Sequence, residues 1–329
     1  MDTQTNIRVP ARPLSARAAL LFLVIGIAIY GAVFWWSERL VIRTGHINPF
    51  FKITTAESLN LDWVILGASH AMPLDYADFN QFMERETGAR IMNLAATGAG
   101  PLYNRFILEH FLAEGGAADV LYIADSFAFR SPEWNEHRFA DAKLIRGTPL
   151  DLGIARRLAG YVSGEGVAPG ALADYVTGFS KINNRDRFKQ DTWEGEAQFE
   201  RVFRPSTSAD ARRIEYLFPD GADDDATLER YLSELHAMIE IARDSGAGFT
   251  IIKPPVPEQF QRLLPGEERF DAAMGHLAAQ TGVEFRDFST FLGDPSFYSD
   301  TDHLNRDGVT RFFKEELRPI LAGAVAGHQ

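Results

Sequence analysis

The sequence of 329 residues has no cysteine and relatively little positive charge: 33 lysines and arginines stand against 45 aspartates and glutamates, a formal net charge of −12. The absence of thiols excludes disulfides and cysteine-based metal or redox sites. It fits an oxidising compartment, although a cysteine-free cytosolic protein would look the same. The acidic excess argues against nucleic-acid binding, which needs a concentrated basic surface to contact phosphates. No internal repeat or low-complexity tract occurs, so the composition is typical of one large globular domain or two small ones.

A long hydrophobic run lies near the N-terminus, where no charged residue occurs from Ala18 to Trp36. Nineteen helical residues extend about 28 Å, close to the ~30 Å hydrocarbon core of a bilayer. Trp35 and Trp36 end the run where an interfacial aromatic belt would lie. A cleaved signal peptide is the alternative, but the run is long and ends in bulky residues instead of a small-x-small cleavage site. We therefore expect residues 18–36 to form a single-pass transmembrane anchor.

Basic residues are distributed unevenly around this predicted span. Three arginines precede it and two follow it closely: Arg8, Arg12 and Arg17, then Arg39 and Arg43. Together with the α-amino group, this bias favours a cytoplasmic N-terminus, because positive charge is retained on that side. We therefore expect a protein of the bacterial inner membrane whose C-terminal domain is periplasmic or otherwise extracytoplasmic.

The pattern of the sequence divides the rest of the chain into regions. The predicted regions are a cytoplasmic tail at 1–17, a juxtamembrane connector at 37–60, an α/β domain at 61–322 and a C-terminal tail at 323–329. In the connector, Pro49-Phe50-Phe51 either rests on the membrane or packs on the domain. Within the domain, residues 130–219 interrupt the pattern and are too many for a simple loop. We interpret them as a helical insertion that forms a lid or a partner surface.

Short apolar runs of strand length alternate with amphipathic helical segments in the domain. Five strands are predicted: Trp63–Leu66, Arg90–Leu94, Val120–Ala124, Phe249–Ile252 and Val283–Phe288. Most of these runs are continuously apolar, as expected for parallel strands that are covered on both faces. The alternation predicts an α/β fold with three layers, in which helices cover both faces of a parallel five-stranded sheet. Ligands bind at the carboxyl ends of the strands in such sheets.

The turn after the first predicted strand carries a candidate nucleophile, Ser69, within Gly67-Ala68-Ser69-His70. A sharp strand-to-helix turn would expose the Ser69 hydroxyl beside backbone N–H groups. Such N–H groups can stabilise an oxyanion. A serine that only caps the following helix is the alternative interpretation.

A candidate base and the carboxylate that would orient it lie near the end of the domain, in Asp300-Thr301-Asp302-His303. Serine is a weak nucleophile until a base takes its proton, and histidine is the usual base at neutral pH. Asp300 is placed to hold the far ring nitrogen of His303 and so fix its tautomer. Two alternatives remain open. One is a turn that leads into the final helix. The other is a metal site of Asp300, Asp302 and His303, which no second His/Asp cluster completes, so we expect no metal.

Other residues at strand ends extend the candidate site. Gly98 follows the second strand, where small residues let the backbone approach a ligand closely. The sequence around it is not G-x-G-x-x-G, so a dinucleotide site is not expected. Asp125 and Ser126 follow the third strand, where Ser126 either donates a hydrogen bond to an oxyanion or caps the next segment. His70 and Asp125 are candidates for substrate contact.

Taken together, these residues resemble the SGNH (GDSL-like) hydrolase superfamily. In that family a nucleophilic serine follows the first strand, a glycine the second and an asparagine the third, and Asp-x-x-His lies near the end. Ser69, Gly98, Asp300 and His303 match in order and in strand context, over roughly residues 60–322. The resemblance implies a flavodoxin-like α/β/α domain with serine esterase or O-acyltransferase activity and no cofactor. It also implies an oxyanion hole formed by the backbone N–H groups of Ser69 and Gly98, with Ser126 as a further donor.

The sequence departs from the family pattern in two places. The usual Gly-Asp-Ser is Gly67-Ala68-Ser69, and the block with the asparagine is replaced by Ala124-Asp125-Ser126-Phe127. Loss of one oxyanion donor costs about 2.7–4 kcal/mol of transition-state stabilisation where it has been measured. A catalytically weak binding or scaffold subunit is therefore the alternative function.

A membrane anchor followed by such a domain is similar to DltD-like proteins and to proteins of alginate acetylation. The resemblance implies O-acyl (acetyl) transfer to, or ester hydrolysis on, an envelope or exported polysaccharide or glycopolymer. A membrane-bound O-acyltransferase is the partner that it implies, and nucleic acid is not a partner.

Overall fold

The computed structural model describes residues 15–189 and 195–327. The predicted cytoplasmic tail therefore falls almost entirely outside the described residues, as do residues 328–329 of the predicted C-terminal tail.

Five parallel strands form one sheet in the order β2-β1-β3-β4-β5. The strands are β1 (Asn60–Gly67), β2 (Ile91–Asn93), β3 (Ala117–Ile123), β4 (Phe249–Lys253) and β5 (Glu284–Asp287). Each one overlaps a strand predicted from the sequence. This strand order is that of flavodoxin-like sheets. Such sheets bind ligands at the carboxyl ends of β1 and β3, where the order of the strands reverses direction. The predicted fold class is confirmed: a three-layer α/β/α domain around a parallel five-stranded sheet.

Helices cover both faces of the sheet and form the insertion. Their bounds are α1 (Ala16–Thr44), α2 (Pro49–Thr55), α3 (Phe79–Thr87), α4 (Pro101–Ala113), α5 (Ala142–Gly147), α6 (Leu152–Gly164), α7 (Pro169–Thr177), α8 (Phe179–Ile182), α9 (Thr207–Leu217), α10 (Asp225–Asp244), α11 (Glu258–Gln261), α12 (Glu267–Thr281), α13 (Arg306–Phe312) and α14 (Arg318–Gly327). A π-helical turn joins α13 to α14 and carries the helix to Gly327, beyond the predicted end of the domain at residue 322.

Alternate residues of the strands face two separate apolar layers, because successive side chains of a strand point to opposite faces. On β1, Val64 and Leu66 join the layer of α4 and α10, whereas Trp63 and Ile65 join the layer of α3 and α13. From Trp63 to Leu66 both faces of β1 are buried and apolar, which explains the continuous hydrophobic run there.

The N-terminal helix α1 is the one helix in the described residues that is long and apolar enough to cross a membrane. Its 29 residues extend about 43 Å, and its apolar side chains are exposed, with Phe22 at 77%. The predicted connector contains α2, whose Phe50 and Ile53 are buried in the domain core. Pro49-Phe50-Phe51 therefore packs on the domain and does not lie on a membrane surface.

Candidate active site

Ser69 lies directly above the junction of β1 and β3. Gly67 ends β1 with a φ of +148°, and a Cβ there would lie 2.8 Å from the Ile123 carbonyl oxygen, so only glycine fits this close approach. Its N–H donates to Asn104 Oδ1 at 3.0 Å. Ser69 then begins a short 3₁₀ helix, Ser69–Asp75. This is the strand-to-helix turn that the sequence predicts.

His303 is held by Asp300 on a loop that precedes α13. His303 Nδ1 lies 2.9 Å from Asp300 Oδ1 and 3.0 Å from Oδ2, and the backbone N–H of His303 donates to Oδ1 at 2.9 Å. Burial disfavours the charged form of Asp300, but the imidazole opposite it outweighs burial and holds the pKa of the carboxyl below its ordinary value. Because Nδ1 is occupied, Nε2 is the ring nitrogen left for proton transfer.

A cavity of about 300 Å³ brings Ser69, Gly98, Asp300 and His303 together. They arrive from three separate parts of the chain, at the carboxyl ends of β1 and β2 and before α13. Within the described residues, the Ser69 hydroxyl makes no hydrogen bond, either to His303 or to another group. Proton transfer therefore requires the closer approach that substrate binding commonly brings to such sites.

Two residues that line this cavity have backbone N–H groups without a partner among the described residues. In the part of the chain that the structure describes, neither the N–H of Ser69 nor that of Gly98 has a protein acceptor. Buried or half-buried N–H groups are nearly always paired in proteins. Two free donors on one cavity wall are therefore what an oxyanion hole requires.

Gly98 also sets the shape of the cavity, with a φ of +61° and a hypothetical Cβ 2.9 Å from the Trp134 ring. We expect Gly98→Ala to lower ester turnover about tenfold or more, since displacement of the ring or the loop misplaces the oxyanion donor. Gly88→Ala is the matched control: its φ is +74° and no atom lies within 4 Å of its Cβ. Both variants should lose about 1–2 kcal/mol of stability from backbone strain. Equal activity in both would contradict the role of Gly98.

Ser126 does not reach the cavity of Ser69. Its buried side chain lines a neighbouring cavity with Lys253 and Glu267, and Phe127 occupies the wall that Ser126 was expected to share. The reason is the 3₁₀ turn that follows β3, which begins at Ser126. The prediction that Ser126 supplies an oxyanion donor is thus corrected.

His70 and Asp125 are buried together behind the cavity. His70 Nδ1 lies 2.6 Å from Asp125 Oδ1, and its Nε2 lies 3.4 Å from Asp302 Oδ2. The His70 ring packs against that of His303, with 4.9 Å between centroids. Both residues were candidates for substrate contact, with a position against the sheet as the alternative for His70. The structure pairs them with each other and buries them, and neither lines the cavity of Ser69.

Asp302 connects this buried pair to the catalytic loop. Its fully buried carboxylate accepts hydrogen bonds from Arg213 Nε, at 3.0 and 2.8 Å, and from Thr301 Oγ1 at 2.9 Å, and it lies 3.3 Å from His303 Nδ1. Burial opposes the charge of Asp302, but Arg213, His303 and His70 outweigh it and hold its pKa well below the ordinary value. Asp302 thereby holds the loop of His303 on its buried side, in addition to the contact that Asp300 makes.

The same contacts make stability depend on pH. Burial opposes a charge on His70, but Asp125 and Asp302 outweigh it and raise its pKa from 6.5 to about 10. A raised histidine pKa stabilises the fold fully below pH 6.5, and this stabilisation is lost as the pH rises through about 10. We expect the free energy of unfolding to fall over that interval, and His70→Asn to flatten the fall. His236→Asn, at an exposed position, should leave it unchanged; an unchanged slope in His70→Asn would contradict the pairing.

Ligand atoms of His70, Asp302 and His303 lie within 4.8 Å of one another, as they would around a metal ion. The metal site considered from the sequence lies at the same place, but it had Asp300 where this cluster has His70. Here the Arg213 guanidinium already engages both oxygens of Asp302, and Asp300 engages His303 Nδ1. A cation beside Arg213 would be repelled, so we interpret the cluster as a hydrogen-bonded network.

The insertion supplies cavity residues that the sequence did not single out. Trp134 donates from Nε1 to the Leu217 carbonyl at 2.9 Å and packs edge-on to Tyr216, and both rings line the cavity with Arg213. The spacing of these residues carried no signal, since Arg213 and Asp302 are 89 positions apart. The insertion is therefore a wall of the site.

No family model matches this sequence, and no curated protein matches it. Solved structures that match include the crystal structure of TesA, which is 14% identical and has a TM-score of 0.35. The match covers 81% of this chain and 96% of that one.

Proposed function

We propose that this chain is a membrane-anchored serine esterase or O-acyltransferase. The observation that carries the proposal is the single cavity in which Ser69, the Asp300–His303 pair and two unpaired N–H groups meet. A nucleophile, a base, its orienting carboxylate and an oxyanion hole are the parts that acyl transfer requires.

In the first half-reaction, Ser69 Oγ attacks the acyl carbonyl while His303 Nε2 takes the hydroxyl proton. The negative charge that develops on the carbonyl oxygen is stabilised by the N–H groups of Ser69 and Gly98. The bond to the leaving alkoxide then breaks, His303 returns the proton to that oxygen, and an acyl ester remains on Ser69. Asp300 stabilises the imidazolium throughout.

In the second half-reaction, water or a sugar hydroxyl attacks the acyl-serine, and His303 acts again as base. The acceptor decides whether the enzyme hydrolyses or transfers. We propose an extracytoplasmic site and an envelope polysaccharide or glycopolymer as substrate, with a membrane-bound O-acyltransferase as partner. The N-terminal arginine bias, the apolar helix α1 and the exposed Tyr216 ring on the cavity wall support this assignment.

A binding or scaffold subunit is the second candidate. It is favoured by the displacement of Ser126 from the cavity and by the missing hydrogen bond between Ser69 and His303. In that case the cavity would bind the polymer without breaking an ester.

Turnover of simple esters separates the two candidates. The full chain in nanodiscs is given aryl esters of acetate and of longer acids, with and without a sugar acceptor. Saturable release of phenol supports the enzyme, and acetylated sugar identifies transfer. If the unaltered chain released phenol no faster than Ser69→Ala did, for every acyl-chain length tested, only the binding function would remain.

A further inference from the structure

The insertion packs against the apolar part of α1. Tyr30 Oη donates to the Thr177 carbonyl at 2.8 Å, and the Phe34 ring lies so close to Gly178 that a Cβ there would be 2.3 Å from it. One turn further along α1, Glu38 forms an ion pair with the buried Lys181. These three positions on α1 are spaced four apart, so they lie on one face of the helix.

The position of this contact along α1 sets its depth. Tyr30 precedes Trp36 by six residues, which corresponds to about 9 Å along a helix. If Trp36 marks the interfacial belt, Thr177 and Gly178 lie on its hydrocarbon side. Amphipathic elements bound at an interface reach about 5–10 Å into this region.

The surface of the insertion agrees with that depth. Residues 176–179, which we call the insertion corner, expose Val176 at 51% and Phe179 at 62%. Phe188, 72% exposed, packs edge-on to Trp36 at the level of the belt. Large apolar groups that are exposed together on a protein surface mark an interaction site.

Basic residues lie on the other side of the belt. A cavity beside the end of α1, from Ser37 to Thr44, is lined by four basic residues and one carboxylate: Arg146, Lys181, Arg187, Lys189 and Asp186. Asp186 pairs with Arg146 and Lys189, and Lys181 pairs with Glu38, so the basic groups are in excess. Basic groups at this level face the phosphates of anionic lipids. The insertion therefore changes from apolar to basic in the same direction as α1.

We propose that the insertion corner is seated in the lipid bilayer beside α1, with Val176 and Phe179 in contact with acyl chains. The inference rests on α1 being the membrane anchor of the proposed function. Because the insertion also supplies Trp134, Arg213 and Tyr216 to the cavity, the bilayer then fixes the height and orientation of the active site. The insertion is thus both a wall of the site and a second membrane contact.

The cysteine-free chain allows a direct test by single spin labels. Phe179→Cys, Leu263→Cys and Phe22→Cys are labelled separately in the full chain, reconstituted in nanodiscs of phosphatidylglycerol and phosphatidylethanolamine. Collisions with oxygen, which enters lipid, and with a nickel chelate, which stays in water, are compared. We expect the label at 179 to resemble the one at 22, with a severalfold higher oxygen-to-nickel ratio than at the exposed control position 263.

Each other outcome overturns a specific statement. A label exposed to lipid at position 22 together with a label exposed to water at position 179 would support α1 as the anchor but refute the insertion of the corner into the bilayer. Water exposure at both positions would refute the anchor, and the corner with it. Dipolar broadening at 179 would show contact between two copies of the chain in place of lipid.

Discussion

Replacement of Ser69 by alanine is expected to lower kcat/KM for an aryl acetate by about four to six orders of magnitude. The variant removes the atom that forms the acyl bond, and the remaining N–H groups retain only the stabilisation of the oxyanion. His303→Ala should lower kcat/KM by a similar factor, since without the base the hydroxyl stays protonated. The measurement is initial-rate kinetics of the full chain in nanodiscs.

The double variant provides the decisive comparison. Residues that act as one unit are not additive, so Ser69→Ala with His303→Ala should be no slower than the slower single variant. Thr97→Val is the control, because Thr97 lines the same cavity and its hydroxyl, among the described residues, makes one weak hydrogen bond, to Met72 Sδ at 3.9 Å. A loss in the double variant equal to the product of both single losses would show that the residues act independently.

Neutralisation of Asp302 is expected to have the largest effect on stability. Its carboxylate is fully buried and holds Arg213 through two contacts, at 3.0 and 2.8 Å, while His70 and His303 lie at 3.4 and 3.3 Å. Asp302→Asn keeps the shape but leaves the Arg213 charge without its anion, and it removes one of the two carboxylates beside each histidine. Breaking a buried ion pair in this way costs about 3–5 kcal/mol.

Thermal unfolding followed by circular dichroism at neutral pH would measure that loss. Asp223→Asn is the matched control, since Asp223 pairs with Arg269 while fully exposed, and exposed ion pairs contribute little. Its transition temperature should equal that of the unaltered chain. If Asp302→Asn unfolded at the same temperature as the control, the buried network would not support the catalytic loop.

The strands and the two runs that meet at the cavity could be predicted because their signals are local. The apolar run of β1 needs two buried faces, and Gly67 beside Ser69 predicts a tight turn without knowledge of any distant residue. Asp300 and His303 are three positions apart and meet within one loop. The sequence alone therefore identifies four residues of the cavity: Ser69, Gly98, Asp300 and His303.

Orientation and long-range pairing were not accessible in the same way. The predicted end of β3 correctly placed Ser126 at the carboxyl edge of the sheet. The 3₁₀ turn that begins there decides which cavity its side chain lines, and the sequence does not reveal that turn. Asp125 binds His70 across 55 positions of the chain. The neighbouring positions of β1 and β3 in the sheet determine that contact, whereas packing of the insertion brings Arg213 to Asp302. No spacing rule in the sequence predicts either one.

Covalent labelling tests the central claim, that Ser69 is an activated nucleophile, most directly. The full chain in nanodiscs is treated with a fluorophosphonate and the modified peptide is identified by mass spectrometry, with His303→Ala treated in parallel. The account predicts one adduct, on Ser69, that is lost in His303→Ala. Absence of an adduct on Ser69, under conditions that label a known serine esterase, would contradict it.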